Sequence, residues 1–141
     1  MRADIEPTED QLRHFAEDGH EGPIVMVNLL KFRALAQYAP GAAEAAQNLT
    51  GREAYQRYGM IALAGVAGVG GSIVWAGKQR FVAVGGTDQE WDEIVCVRYP
   101  SRAAFLAMVT DPQYRKGLHH RDAALERTAL LCCDAGIASE G

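Results

Sequence analysis

Two long apolar runs dominate the hydrophobic pattern of this chain. The first, Ile24–Phe32, is apolar at nearly every position, with Asn28 as the polar residue in its middle. The second, residues 91–99, is also rich in apolar side chains and ends at Pro100. Runs of this kind are typical of strands that are covered on both faces. Both are therefore predicted to be central strands of a sheet.

Helical signals lie between and around these strands. Thr50 and Glu53 match a capping box, and apolar residues follow at helical spacing to about residue 68. Ser101 follows the second strand as a helix cap. Asp111 precedes Pro112, a pair that is typical of a cap and the first helical position, so a further helix is predicted from 112 to about 126.

Shorter apolar segments predict the remaining strands. Residues 72–76 and 80–84 are separated by Gly77-Lys78, which predicts a hairpin, and residues 128–133 predict the last strand. The principal elements then alternate as strand, helix, strand, strand, helix, strand. This order predicts an α+β fold, a ferredoxin-like βαββαβ subunit with an antiparallel sheet.

The predicted organisation is a single domain, 1–141, with two additions. Residues 1–22 form an N-terminal helical extension, and the alanine-rich residues 34–49 form a long loop of the kind that often acts as a lid. Helices on one face cannot cover central strands that are apolar on both sides. A second copy of the sheet is the simplest cover, so a homodimer is predicted.

Composition narrows the function classes. The chain has 14 basic and 18 acidic residues and a formal charge of -4, which argues against nucleic-acid binding. No apolar run approaches the ~20 residues needed to span a bilayer, so no membrane partner is predicted. Acidic residues stand where a signal peptide would be apolar, and a cytoplasmic location is expected. The three cysteines include no C-x-x-C pair, so they predict neither a zinc site nor a redox pair.

The adjacent His119 and His120 are the candidate catalytic residues. On a helix they point about 100° apart, so they are not expected to chelate one metal together. One of them is predicted to face a pocket and exchange protons near neutral pH, and surface or structural roles are the alternative. The glycines at 65–71 end a helix instead of opening one, so they do not predict a nucleotide site. No metal and no cofactor are predicted.

Three further residues are candidate ligand-binding groups. Asn28 and Arg98 are polar residues on apolar central strands, and Tyr58 lies on the helix that crosses the sheet. A pocket with a few convergent polar groups in apolar walls is the default site hypothesis. The predicted cavity lies between the sheet and the helices, with residues 34–49 as its lid. A structural role for each residue remains the alternative, because a buried amide or hydroxyl also needs a hydrogen-bond partner.

Several segments together resemble a bacterial family catalogued as domain-of-unknown-function family 1330. They are residues 22–32, 51–59, 91–112 and 119–125. The resemblance implies a ferredoxin-like subunit that pairs into a dimeric α/β barrel, but it implies no particular reaction. The function hypotheses are a metal-independent enzyme that acts on a small aromatic or acidic compound by acid–base chemistry, a non-catalytic ligand-binding protein, and a purely structural dimer.

Overall fold

The sheet has four antiparallel strands in the order β2-β3-β1-β4. The computed structural model describes residues 5–136, so the ends of the predicted domain, 1–4 and 137–141, lie outside the described range. The strands are β1 Ile24–Phe32, β2 Ser72–Lys78, β3 Glu93–Tyr99 and β4 Leu125–Asp134. The two long apolar runs occupy the centre of the sheet, and the predicted ferredoxin-like α+β fold is confirmed.

The helices differ from the prediction mainly near the end of the chain. They are α1 Glu9–Glu17, α2 Gly51–Gly68, α3 Arg102–Thr110, α4 Pro112–Arg115 and α5 Leu118–Ala124, with 3-10 turns at Ala43–Ala46 and Thr87–Gln89. The single helix predicted over 112–126 is wrong, because a turn at Lys116 and Gly117 divides it into α4 and α5, and α5 ends at Ala124. No helix of the described part of the chain is long and apolar enough to cross a membrane.

The predicted strand over 80–84 is also absent. Strand β2 pairs with β3 instead of with the residues that follow it. The amide of Gln79 holds the intervening loop closed: it accepts from the Trp91 N–H at 2.7 Å and donates to the Gln89 carbonyl at 2.9 Å. A closed loop of 79–91, not a hairpin, therefore connects β2 to β3.

The two faces of the sheet have different environments. On β1, Ile24, Met26 and Leu30 are buried beneath the helices. Because side chains alternate along a strand, Val25 and Val27 point to the opposite side. We call this second side the open face. Directly paired residues share a face, so the register assigns it the following side chains: Val25, Val27, Leu29, Trp75, Ile94, Cys96, Arg98, Leu131 and Cys133.

The predicted helix caps at Ser101 and Asp111 are present, as is the capping box of Thr50 and Glu53. The Ser101 hydroxyl accepts a hydrogen bond from the Ala104 N–H at 3.0 Å, and the Asp111 carboxylate accepts one from the Gln113 N–H at 2.7 Å. We expect Ser101→Ala and Asp111→Ala each to lower the free energy of unfolding by ~0.5–2 kcal/mol. Urea denaturation measures this, with Ser72→Ala on the exposed edge strand as the control that leaves the midpoint unchanged.

Candidate functional site

Asn28 and Arg98 do not border a common cavity. Asn28 points to the helix side of β1, and its amide donates to the carbonyls of Val95 at 3.1 Å and Met26 at 3.3 Å. Arg98 is paired with Val25 and so lies on the open face. The two side chains therefore point to opposite faces of the sheet, and the prediction that they border one pocket is wrong. The Asn28 amide satisfies backbone carbonyls of the sheet.

Tyr58 is a core residue. Its ring is buried, and its hydroxyl shares a 2.7 Å hydrogen bond with the Tyr114 hydroxyl. Burial raises the pKa of Tyr58 well above its ordinary value, and the neighbouring Tyr114 raises it further. The ring also contacts Tyr55, with ring centroids 5.1 Å apart. Side chains thus fill the space between sheet and helix at this point, where a ligand cavity was expected.

The two histidines meet a pair of partners from the predicted lid. The His119 Nε2 lies 3.1 Å from the Glu44 carboxylate, and the His120 Nδ1 lies 2.7 Å from the Tyr38 hydroxyl. The two imidazole rings lie with their centroids only 4.0 Å apart. Neighbouring residues of a helix were expected to point about 100° apart. The two imidazoles nevertheless lie close together, because both side chains turn toward the same loop. We call these four residues the histidine cluster.

Backbone hydrogen bonds hold Arg33 and the start of the segment 34–49 against α5. The Arg33 N–H donates to the Ala124 carbonyl at 2.8 Å, and the Gln37 N–H donates to the Ala123 carbonyl at 2.9 Å. The Ala36 N–H donates to the Leu49 carbonyl at 2.8 Å, which draws the two ends of the segment together. The 3-10 turn Ala43–Ala46 then presents Glu44 to the histidines. Ordinary backbone contacts thus determine where the cluster forms.

A cleft of about 550 Å³ opens beside the histidine cluster, and we call it the lid cleft. Its lining residues are Ile5, Glu6, Arg33, Gln37, Tyr38, Ala39, Ala42, His119, Asp122 and Ala123. The Arg33 Nε is buried there with no hydrogen-bond partner among the described residues. The positive charge of Arg33, which lines the cleft, suits an anionic ligand.

Burial and hydrogen bonds shift the pKa values of three groups in the cluster. Burial raises the pKa of the Tyr38 hydroxyl above its ordinary value. A hydrogen bond from its own backbone N–H, and then the one from His119, lower the pKa of the Glu44 carboxyl. Burial lowers the pKa of His120, and the neighbouring His119 lowers it further. Around neutral pH these directions favour an anionic Glu44 beside an uncharged Tyr38–His120 pair.

A comparison with protein families gives a match over most of the helices and strands described above. The family described as Domain of unknown function (DUF1330) matches residues 43–134. The chain belongs to this family. The match includes Glu44, His119 and His120, whereas Asn28 and Tyr38 precede it. Among the segments that carried the resemblance, 51–59, 91–112 and 119–125 fall within the matched range.

Two solved structures of one relative share the fold of this chain. The crystal structure of methylated RPA0582 protein is 36% identical, has a TM-score of 0.85, and covers 94% of each chain. A second structure of RPA0582, a protein of unknown function from Rhodopseudomonas palustris, is 36% identical with a TM-score of 0.83 and covers 94% of this chain and 96% of that one. No match was found among curated proteins. The relatives thus establish the fold and leave the reaction open.

Sequence reasoning missed Tyr38 and Glu44 as site residues of this DUF1330 chain. A signal for both existed, because Tyr38 is the only aromatic residue and Glu44 the only charged residue in the alanine-rich segment 34–49. A lone charge and a lone ring in such a segment are candidates for a specific contact. Their partners lie 82 and 75 residues away in sequence, so only the fold identifies them.

Proposed function

We propose that the protein binds a small acidic molecule in the lid cleft, with Arg33 holding its anionic group. The proposal rests on the convergence of Arg33, Tyr38 and His119 on one concave surface. The cleft volume of about 550 Å³ lies within the range of ~300–1,000 Å³ that is usual for small-molecule sites. The acidic substrate class predicted from the sequence agrees with the charge of Arg33.

The residues that line the cleft favour a ligand with one anionic part and one flat, apolar part. Arg33 provides planar donors that suit a carboxylate. Tyr38 and His119 lie on the same cleft and offer a ring edge, a hydroxyl and an imidazole to the rest of the ligand. An aromatic or other flat acid fits this combination, because its ring packs against side chains while its carboxylate is paired.

An enzyme and a binding protein are two forms of this proposal. In the enzymatic form, His119 exchanges a proton with the bound molecule directly, and His120 acts through Tyr38. In the non-catalytic form, the same groups only hold the ligand. A ligand that survives incubation unchanged supports the binding protein, whereas product formation that His119→Gln abolishes supports the enzyme.

We also propose that the protein is a homodimer that joins through the open face, as in a dimeric α/β barrel. Trp75 and Leu131 point from this face and are 54% and 48% exposed. A second cleft, of about 380 Å³, lies where Leu29, Trp91 and Ile94 meet the loop 79–91. Phe81 in that loop is 73% exposed. Apolar surface that extends over a sheet face and an adjoining loop is typical of a protein–protein interface.

Ligand binding is tested with a matched set of small probes. We expect benzoate and 4-hydroxybenzoate to bind the wild-type protein in ligand-observed NMR, and neutral benzamide to bind more weakly. Arg33→Gln should weaken benzoate binding by about tenfold or more, because it removes a charge-assisted pair. Arg13→Gln, an exposed arginine on α1, is the control and should bind like wild type. Equal affinity of all three proteins, or no binding of either carboxylate, would contradict the proposal.

A further inference from the structure

The histidine cluster contains a set of metal-ligand atoms, and one of its residues, His119, also lines the lid cleft. One donor atom each from Glu44, His119 and His120 lies within 4.8 Å of the other two. We propose that these three residues form a binding site for a divalent transition metal such as Zn²⁺. This inference goes beyond the proposed function, because Arg33 is not a metal ligand and metal binding does not require an acid in the lid cleft.

One edge of the site already has the dimensions of a zinc centre. The distance from the His119 Nε2 to the Glu44 carboxylate oxygen is 3.1 Å. Zinc bonds of ~2.0–2.1 Å in a tetrahedron place neighbouring ligand atoms ~3.3–3.4 Å apart. The metal therefore replaces the proton between these two groups with only a small movement of either side chain.

The third ligand is oriented by a hydrogen bond of its own. The His120 Nδ1 is occupied by the Tyr38 hydroxyl at 2.7 Å, so its Nε2 is the nitrogen left for a metal. Metal-binding histidines usually donate their other ring N–H to an oxygen, which fixes both tautomer and ring orientation. Tyr38 is thus a positioning residue of the site. Its ring also packs against both imidazoles, with centroids 6.0 Å from His119 and 5.6 Å from His120.

The donor set selects the class of metal. Two imidazole nitrogens and one carboxylate suit Zn²⁺ and its transition-metal neighbours, whereas Mg²⁺ and Ca²⁺ prefer an all-oxygen shell. Three protein ligands leave a fourth position for water or a ligand. Because His119 also lines the lid cleft, we expect the fourth metal position to lie near this cleft. The sequence-based expectation of no metal rested on diverging histidines, and this geometry removes its premise.

A bound metal would also attach the 3-10 turn Ala43–Ala46 to α5. Glu44 lies in the 3-10 turn Ala43–Ala46, whereas both histidines lie on α5. The metal would therefore add a link between the loop and the helix beside the His119–Glu44 and Tyr38–His120 hydrogen bonds. Amide hydrogen exchange at residues 43–46 should become slower when the metal binds.

The test is calorimetric titration of Zn²⁺ into untagged, chelator-stripped protein. We expect about one equivalent per chain to bind. Glu44→Gln, His119→Gln and His120→Gln should each weaken binding by about tenfold or more. His14→Gln removes an exposed histidine from α1 and should bind like wild type, and Mg²⁺ should not bind to the wild-type protein.

Two results would overturn the metal site: no saturable Zn²⁺ binding by the wild type, or unchanged affinity in the three ligand variants. If a histidine variant fails to fold, Glu44→Gln decides the outcome, because Glu44 lies in a loop outside the core. Loss of metal binding in Glu44→Gln with benzoate binding retained separates this inference from the acid-binding proposal.

Discussion

Replacing Gly51 with alanine is expected to lower the free energy of unfolding by ~2–3 kcal/mol, although the change adds one methyl group to the start of a helix. A Cβ at this position would lie 2.7 Å from both the Ala124 carbonyl oxygen and the Arg33 nitrogen. It would approach the Arg33 carbonyl oxygen even more closely. These are backbone atoms of Arg33, which directly follows β1, and of Ala124 in α5, so no side chain can rotate to make room.

The crowded atoms are also joined to one another. The Arg33 N–H donates to the Ala124 carbonyl at 2.8 Å, and the Gly51 N–H donates to the Arg33 carbonyl at 3.1 Å. Relief of the clash must therefore lengthen these hydrogen bonds and displace Arg33. Because Arg33 lines the lid cleft, Gly51→Ala should also weaken the binding of benzoate.

Gly59→Ala is the matched control for this prediction. Gly59 lies in the same helix, α2, and a Cβ there meets no atom within 4 Å. The substitution should stabilise the protein by ~0.5–1 kcal/mol, because alanine loses less backbone entropy in a helix. Urea denaturation of both variants should give shifts of opposite sign. A Gly51→Ala protein as stable as wild type would contradict the close packing at this junction.

Replacing Leu131 with aspartate is expected to convert the proposed dimer into monomers. Leu131 is paired with Val27 across the open face and is 48% exposed in the single chain. In the dimer this side chain becomes buried, and an uncompensated carboxylate there costs about 3–5 kcal/mol. That cost weakens association by more than about 100-fold. The monomer itself should keep its fold, since the position is at the surface of the subunit.

Met60→Asp is the matched control, because it also replaces an exposed apolar side chain with aspartate. Met60 is 78% exposed on α2, away from the open face, so its replacement should leave the dimer intact. Light scattering after size exclusion at micromolar concentration measures both variants. A monomeric wild type, or a Leu131→Asp protein that remains a dimer, would contradict the proposed interface.

The fold was largely predictable because its determinants are local or periodic. The apolar pattern of Ile24–Phe32 identified a central strand, and the signals at Thr50, Ser101 and Asp111 placed three helix starts. The loop over 80–84 was not predictable in the same way. Its apolar residues match a strand, but the decision depends on which segment pairs with β2, and the pairing with β3 is a non-local choice.

The candidate site was predicted only in part, for a related reason. His119 and His120 belong to the cluster, and the segment 34–49 meets them, as a lid would. Asn28 and Arg98 were grouped wrongly because a strand's register decides which face a side chain takes, and a shift of one residue reverses that face. The register of strand pairing cannot be read from the sequence. In the structure Asn28 is paired with Val95, whereas Arg98 is paired with Val25, so the two side chains lie on opposite faces.

The most direct test of the central claim is an amide NMR map of the protein titrated with benzoate. We expect the chemical-shift changes to fall on residues 33–44 and 118–123, the two segments that enclose the lid cleft and the histidine cluster. Amides of the open face, such as those of Val27 and Cys96, should remain unaffected. Changes centred on the open face, or on the Asn28 and Tyr58 region of the core, would contradict the assignment of the site.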